Sequence, residues 1–365
     1  MNPRPLRVLV VDDSALVREM TRAILSRERF EVEVAADPLI AMRKMAQTRP
    51  DVMLLDLEMP RMDGLTFLRQ VMADDPLPVV VCSSVARPGT IAALRALEEG
   101  ALSIVQKPQL GVRDFLEESA TALVDAVTEA SHARVFKRAG RSVPAPTPPP
   151  MVLGSSSWLA PSLAARTVIA LGASTGGPQA LQAVLTALPE DAPGIAVVQH
   201  MPEAFTGAFA RRLDEACALE VKEAAHGDRL FPGRALIAPG NRHLRIQRDL
   251  QGFYAELSAE QPVSRHRPSV DVLFESVARS AGADGIGVLM TGMGEDGARG
   301  LLDMKKAGAF TLAQDEASSV VFGMPGQAIA RGAVVEVAPL SRIPNVIVER
   351  LRLEGRGLGH PTVAT

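Results

Sequence analysis

Apolar runs in this sequence end repeatedly in residues that can do chemistry. RVLVV runs into Asp12 and Asp13, VMLL into Asp56, VVVC into Ser83, and SIVQ into Lys107. If these runs are neighbouring parallel strands, one mouth gathers three carboxylates, a hydroxyl and an ammonium. Close carboxylates repel one another and are costly unless a cation binds. Mg²⁺ suits such a site, because it takes a few carboxylates, keeps waters and pairs with phosphate. Asp56 is then a candidate nucleophile toward a phosphoryl group, with Mg²⁺ and Lys107 neutralising the phosphoryl oxygens during transfer. Taken singly, the same residues read as helix caps and solvated strand ends. Their joint occurrence, in this order, argues for a site.

A second set lies further along. Ser174 falls in LGASTGGPQALQAVL, where a strand pattern turns into a helix and Gly172, Gly176 and Gly177 leave room around the hydroxyl. This is the logic of a nucleophile elbow without the GxSxG spelling, and backbone amides there could stabilise an oxyanion. His200 follows GIAVVQ and is the side-chain type best suited to general-base work near neutral pH. Asp296 follows GIGVLM, where a carboxylate could orient a histidine and stabilise its imidazolium. His226 and His243 compete for the base role. Arg265-His266-Arg267 reads as a cationic surface near an acidic partner. The order Ser–His–Asp differs from the familiar hydrolase orders, but triads are defined by geometry. A rival occupies the same segment: Gly292 to Gly297 spells GxGxxG, and Asp315 ends the following strand, close to a dinucleotide fingerprint. Against it, Glu295 and Asp296 would stand where a pyrophosphate needs positive potential.

Elements that position these residues follow from periodicity. RVLVVD, EVEVAA, VMLLD, PVVVCSS and LSIVQK read as strands, as do TVIALGAS, GIAVVQH, RALIAPG, GIGVLMTG and AFTLAQD, with helical patterns between most of them. Continuous apolar strands alternating with helices imply parallel sheets covered on both faces, whose ligands bind beyond the strands' carboxyl ends. The expected fold is α/β, two doubly wound parallel-sheet domains joined by a Pro-rich linker. Residues 131–161 hold six of the 27 prolines and four Lys or Arg with no acid, a composition that spaces domains rather than building cores. Trp158, the single Trp, is expected to pack the linker's end onto a domain. The domains are placed at 1–125 and 163–356, with the linker at 126–162.

Composition excludes several classes. With 39 Lys+Arg against 42 Asp+Glu there is no basic excess to recommend nucleic acid. Cys82 and Cys217 form neither a disulfide framework nor a zinc ribbon. No apolar run approaches the roughly 18 residues of a membrane span, and the start is no signal peptide. A cytoplasmic monomer without membrane insertion is expected.

VDDSALVRE, LLDLEMPRMDG, CSS and KP together resemble a response-regulator receiver of flavodoxin-like fold. The resemblance implies phosphorylation of Asp56 by a histidine kinase, a metal site at Asp12, Asp13 and Asp56, Ser83 as switch hydroxyl and Lys107 as phosphate partner. In such domains the residue three before the lysine is often aromatic; here it is Ile104, which puts an aromatic switch in doubt. ALGASTGGP, VVQHMP, APGNRH, HRPSVDVLF, TGMGEDG and SSVVFGMP, in order, resemble the Rossmann-like catalytic domain of the chemotaxis protein-glutamate methylesterases, the CheB family. That resemblance implies a triad of Ser174, His200 and Asp296, oxyanion donors in the amides near Thr175 and Met293, and no cofactor for the esterase reaction. The implied activity is phosphorylation-activated hydrolysis of glutamate methyl esters on methyl-accepting chemoreceptors, with glutamine deamidation. A signalling adaptor with an inactive second domain is the alternative. Gly326 departs from the family, whose members often carry Arg-Glu after the Pro.

Overall fold

The computed structural model describes residues 4–60, 62–84, 87–107, 113–135 and 159–355, with backbone alone at 87–89 and 113–119. The chain divides into two compact units, Met1–Arg141 and Ser142–Thr365. Most of the Pro-rich stretch, Trp158 and Pro108 lie outside the described residues.

The first unit is built on strands β1 (Arg7–Val11), β2 (Glu31–Ala35), β3 (Val52–Leu55), β4 (Val79–Ser83) and β5 (Ser103–Gln106), all parallel, in the order β2-β1-β3-β4-β5. This is the flavodoxin-like order, with a topological switch point between β1 and β3. The central strands β3 and β4 are buried at every position, as a sheet covered on both faces requires. Helix starts follow capping chemistry: Ser14, Asp37 and Asp63 accept from Val17, Ile40 and Thr66 amides. The last helix runs from Arg113 to Ser131, past the expected boundary at 125, because Ala126, Val127 and Ala130 are buried in this unit's core.

The second unit opens with a short helix, Pro161–Arg166, so its first element begins inside the stretch assigned to the linker; Leu159 and Leu163 are already buried there. Its strands are β6 (Val168–Ala173), β7 (Gly194–Gln199), β8 (Glu220–Glu223), β9 (Arg229–Leu230), β10 (Arg234–Ile237), β11 (His243–Asp249), β12 (Gly252–Ser258), β13 (Gly285–Leu289), β14 (Phe310–Gln314) and β15 (Glu336–Ala338). Seven form a parallel sheet in the order β15-β14-β13-β6-β7-β10-β8. From β6 the chain builds outward through β7, then returns to the other side of β6 with β13. The switch point therefore lies between β6 and β13.

An antiparallel sheet, β11-β12-β9, was not expected from the continuous apolar runs. Its signal is alternation: Leu244 and Ile246 on β11, with Phe253 and Ala255 on β12, are buried, while Arg245, Gln247, Tyr254 and Glu256 between and beside them are only half-buried. The helix Val270–Ser280 packs between this hairpin and β6, and Val270, Leu273, Phe274 and Val277 share one core with Val168, Ala170, Leu244 and Ile246. Among the described residues no helix is long and apolar enough to cross a membrane.

Phe274 is fully buried on this helix. Phe274→Ala is expected to destabilise the second unit by about 3–5 kcal/mol. Guanidinium unfolding with hydrogen-exchange readout on β6 and β11 amides should report the loss there and leave β3 and β4 amides unchanged.

Candidate functional site

Register brings the second unit's candidates together at the switch point. β6 and β7 pair up to Ala173 and Gln199, so Ser174 and His200 leave the sheet side by side, and the His200 amide donates to the Ala173 carbonyl at 3.2 Å. On the other flank the Ser174 amide donates to the Thr291 carbonyl at 2.9 Å. The turn after Ser174 needs glycine: Gly176 has φ of 76°, and a Cβ there would stand 2.6 Å from a Val320 methyl. Gly292 allows the loop after β13 to pass Ser174 closely, since its Cβ would lie 2.8 Å from the Ser174 Cβ. Gln199 ties two site residues by their backbones, donating to the Ser174 carbonyl at 2.9 Å and the His200 carbonyl at 3.1 Å. Thr291 donates its hydroxyl to the Thr175 carbonyl at 2.9 Å.

Asp296 is 1% exposed. Its Oδ2 accepts from His200 Nε2 at 2.9 Å and from the Val270 amide at 2.7 Å; its Oδ1 accepts from Ser269 Oγ at 2.7 Å and the Asp271 amide at 3.1 Å. The Val270 and Asp271 amides open the helix Val270–Ser280, so the carboxylate sits at a helix N-terminus, where an anion is favoured. Burial pushes this carboxyl up, but the His200, Ser269 and Val270 bonds outweigh it and hold it below the ordinary carboxylate range. With Nε2 on Asp296, the buried Nδ1 of His200 is left without a partner. It is the nitrogen open to take a proton. Ser174 is 4% exposed, and among the described residues its hydroxyl makes no hydrogen bond with either ring nitrogen. Thr175 is buried and Met293 half-buried; the Met293 amide donates to no protein acceptor among the described residues.

The competing histidines separate cleanly. His226 is exposed and accepts from the Leu257 amide at 3.3 Å, away from Asp296. His243 is fully buried behind the carboxylate: Nε2 donates to the Gln261 carbonyl and Nδ1 accepts from the Ser269 amide. It therefore braces the residue that holds Asp296. His266 corrects the expectation of a cationic surface. It is half-buried and stacked on the His200 ring, centroids 3.7 Å apart and planes within 10°, and burial together with the His200 charge pushes it down to about 3.

The dinucleotide reading fails on the same geometry. Asp296 turns inward to His200 and the helix start, and Asp315 accepts from the Ser318 amide and hydroxyl within its own turn. Gly326 lies against Phe322, whose ring a Cβ would meet at 3.2 Å. The departure from the family is thus a packing arrangement outside the His200–Asp296 pair. Sequence reading offers neither Ser269 nor Gln199, and it names His243 as a rival base and not as the brace of Ser269. Ser269 was legible as a cap before VDVLFESV; the other two are fixed by contacts across the fold.

In the first unit, the switch point between β1 and β3 sets Asp12 beside Asp56, both buried. Lys107, from the end of β5, reaches Asp12 Oδ2 at 3.0 Å and Asp56 Oδ2 at 2.6 Å. Asp12 Oδ1 accepts from the Ser14 amide and Asp56 Oδ1 from the Glu58 amide. Burial pushes the Asp56 carboxyl up to about 6; Lys107 pulls against it, and the Asp12 charge adds to it. Oxygens of Asp12, Asp13 and Asp56 come within 4.8 Å of one another, and the buried Asp12 Oδ2 and Asp56 Oδ2 share the single Lys107 ammonium. A set of hard carboxylate oxygens with incompletely satisfied buried atoms fits a small divalent cation. Ser83 is buried at the end of β4, its hydroxyl 3.3 Å from the Ser84 carbonyl, and Ser84 donates to Glu58 Oε2 at 2.7 Å. Ile104 is buried in the core.

Residues 169–347 match the family model for CheB methylesterase, and residues 8–118 that for the response regulator receiver domain. Among solved structures, the Thermotoga maritima CheB methylesterase catalytic domain is 37% identical, with 50% of this chain and 97% of that chain covered and a TM-score of 0.49. Curated relatives include protein-glutamate methylesterase/protein-glutamine glutaminase 1 of Anaeromyxobacter dehalogenans (strain 2CP-C), 58% identical over 346 residues that cover 94% of this chain and 98% of the relative. The enzyme of the same name numbered 2 from Xanthomonas campestris pv. campestris is 50% identical over 353 residues, 94% of this chain and 100% of the relative.

Asp296→Asn keeps the shape but removes a charge with several donors on it, and is expected to destabilise the second unit by about 1.5–3 kcal/mol at pH 7. Because the folded-state pKa is depressed, the wild-type advantage is fully present above the ordinary carboxylate value of 3.8 and is lost as pH falls through the lower, folded-state value. Urea unfolding of both proteins across that range should show the difference shrink on the acid side.

Proposed function

Since the chain belongs to the CheB methylesterase family, its catalytic unit preceded by a receiver, we propose that it hydrolyses glutamate methyl esters on chemoreceptors to glutamate and methanol, deamidates receptor glutamines, and is activated by phosphorylation of Asp56. The observation that carries this reading is the 2.9 Å bond between His200 Nε2 and Asp296, beside Ser174 at the switch point.

Ser174 Oγ attacks the side-chain carbonyl carbon of the methylated glutamate, and its proton passes to His200 Nδ1. Asp296, bonded to Nε2–H, holds the tautomer that leaves Nδ1 basic and stabilises the imidazolium that forms. The amides of Thr175 and Met293 are the donors proposed for the developing oxyanion, which preorganised donors stabilise most. The tetrahedral intermediate collapses, the C–O bond to methanol breaks, and His200 returns the proton to the leaving oxygen. Water then gives a proton to His200 and adds to the acyl-enzyme; collapse releases the free carboxylate and restores Ser174. On a glutamine, the departing group is ammonia. No step calls for a cofactor.

In the receiver, Asp56 accepts a phosphoryl group from a histidine kinase. Asp12, Asp13 and Asp56 are the residues that would hold Mg²⁺, which when bound supplies positive charge for the incoming phosphoryl oxygens. Lys107 already bridges Asp12 and Asp56 and supplies a second charge; Ser83 is the hydroxyl proposed to contact the phosphoryl group.

Methanol release from methylated chemoreceptors is the direct test. It should rise when a small phosphodonor and Mg²⁺ are added, and Ser174→Ala should reduce it by at least about 10³-fold, since removing a triad nucleophile leaves only binding and oxyanion terms. Asp56→Asn should keep basal release and lose the response to phosphodonor. No release from a well-folded wild-type protein would favour a signalling adaptor. Mg²⁺ alone should raise the receiver's melting temperature, as any ligand of the native state does. Asp56 retains a proton below about 6, so this gain should shrink as pH falls through that value.

A further inference from the structure

One short segment, residues 263–271, grips both members of the His200–Asp296 pair. Val263 and His266 exchange backbone hydrogen bonds of 3.1 and 2.9 Å, closing a two-residue turn. Its central residues, Ser264 and Arg265, have φ of 52° and 66°, a left-handed conformation usually given to glycine or asparagine. Such backbone persists where its surroundings over-determine it. Here Arg267 supplies the restraint, donating to Asn241 Oδ1 at 3.0 Å and to the Ala259 and Glu260 carbonyls at 3.1 and 3.0 Å. The turn lays the His266 ring flat on His200, and a few residues later Ser269, Val270 and Asp271 bind Asp296.

We infer that His266 is a positioning residue of the esterase reaction: stacked on His200, it keeps the base turned with Nε2 on Asp296 and Nδ1 free for the Ser174 proton. To exchange its two nitrogens, the His200 ring must rotate edge-on through the space His266 fills, and a centroid separation of 3.7 Å leaves no room for that. A flat aromatic neighbour suits the task, since stacked rings attract one another while fixing orientation. His266 is also held neutral by burial and by the His200 charge, so it adds no positive charge beside the imidazolium formed during catalysis. The inference rests on the esterase reading.

The test uses the full-length protein with phosphodonor and Mg²⁺, measuring methanol release over a range of methylated-receptor concentrations. His266→Ala should lower kcat by about ten- to hundredfold with KM changed by no more than about twofold, since misplacing a catalytic group acts on the chemical step. His266→Phe, which keeps a flat ring, should retain kcat within about threefold of wild type. If the alanine variant does not melt cooperatively, His266→Leu, which fills space without a flat face, takes its place and should show the same kcat loss. Wild-type kcat in the alanine or leucine variant, or a phenylalanine variant as slow as either, overturns the inference. Ser174→Ala is run in parallel: activity surviving there overturns the esterase reading itself, whereas its loss alongside a fully active His266→Ala overturns only the positioning role.

Discussion

A carboxylate as deeply buried as Asp296 is tolerable only if donors surround it, and the arrangement of the catalytic unit follows from supplying them. Two come from the first amides of the helix Val270–Ser280, one from Ser269 just before it, and one from His200 across the switch point. To place that helix start under the loop after β13, the chain leaves the parallel sheet, makes the β11–β12 hairpin and returns through the turn at Ser264 and Arg265. His243 on β11 braces Ser269, and the apolar face of the helix seals the other side against β6. The antiparallel sheet is thus the support of the acid rather than an appendage to the parallel one.

The two units treat a buried aspartate in opposite ways. Asp296 is held below the ordinary carboxylate range because several donors overcome desolvation. Asp56 is lifted to about 6 because burial and the neighbouring Asp12 charge outweigh Lys107. The difference fits the tasks proposed for them. A carboxylate that steadies an imidazolium has to keep its charge, whereas one that takes up a phosphoryl group beside a cation is better left with unmet demand for positive charge. Both sit at the switch point of a parallel sheet, where the connections after two paired strands run in opposite directions and leave a crevice at the carboxyl ends.

What the sequence alone determined was the position of each strand-end residue. Alternation of buried strands with helices implies parallel sheets, and parallel sheets send their functional residues to one edge; hence Asp12, Asp56, Lys107, Ser174 and His200 were legible from local patterning. Asp296 was legible because it follows β13 in a glycine-rich loop. Tertiary structure alone decided which histidine meets Asp296, what else holds that carboxylate, and that His266 lies on His200 instead of facing solvent. Those contacts join residues far apart in the chain, His200 and Asp296 among them, and no local period or propensity encodes a distance across a fold. The hairpin is hard to read because the buried residues of β11 and β12 alternate with half-buried, mostly polar ones, a weaker signal than a continuous apolar run. The last receiver helix was cut short because its buried alanines resemble the residues around them, and only packing against the sheet reveals where its buried face ends.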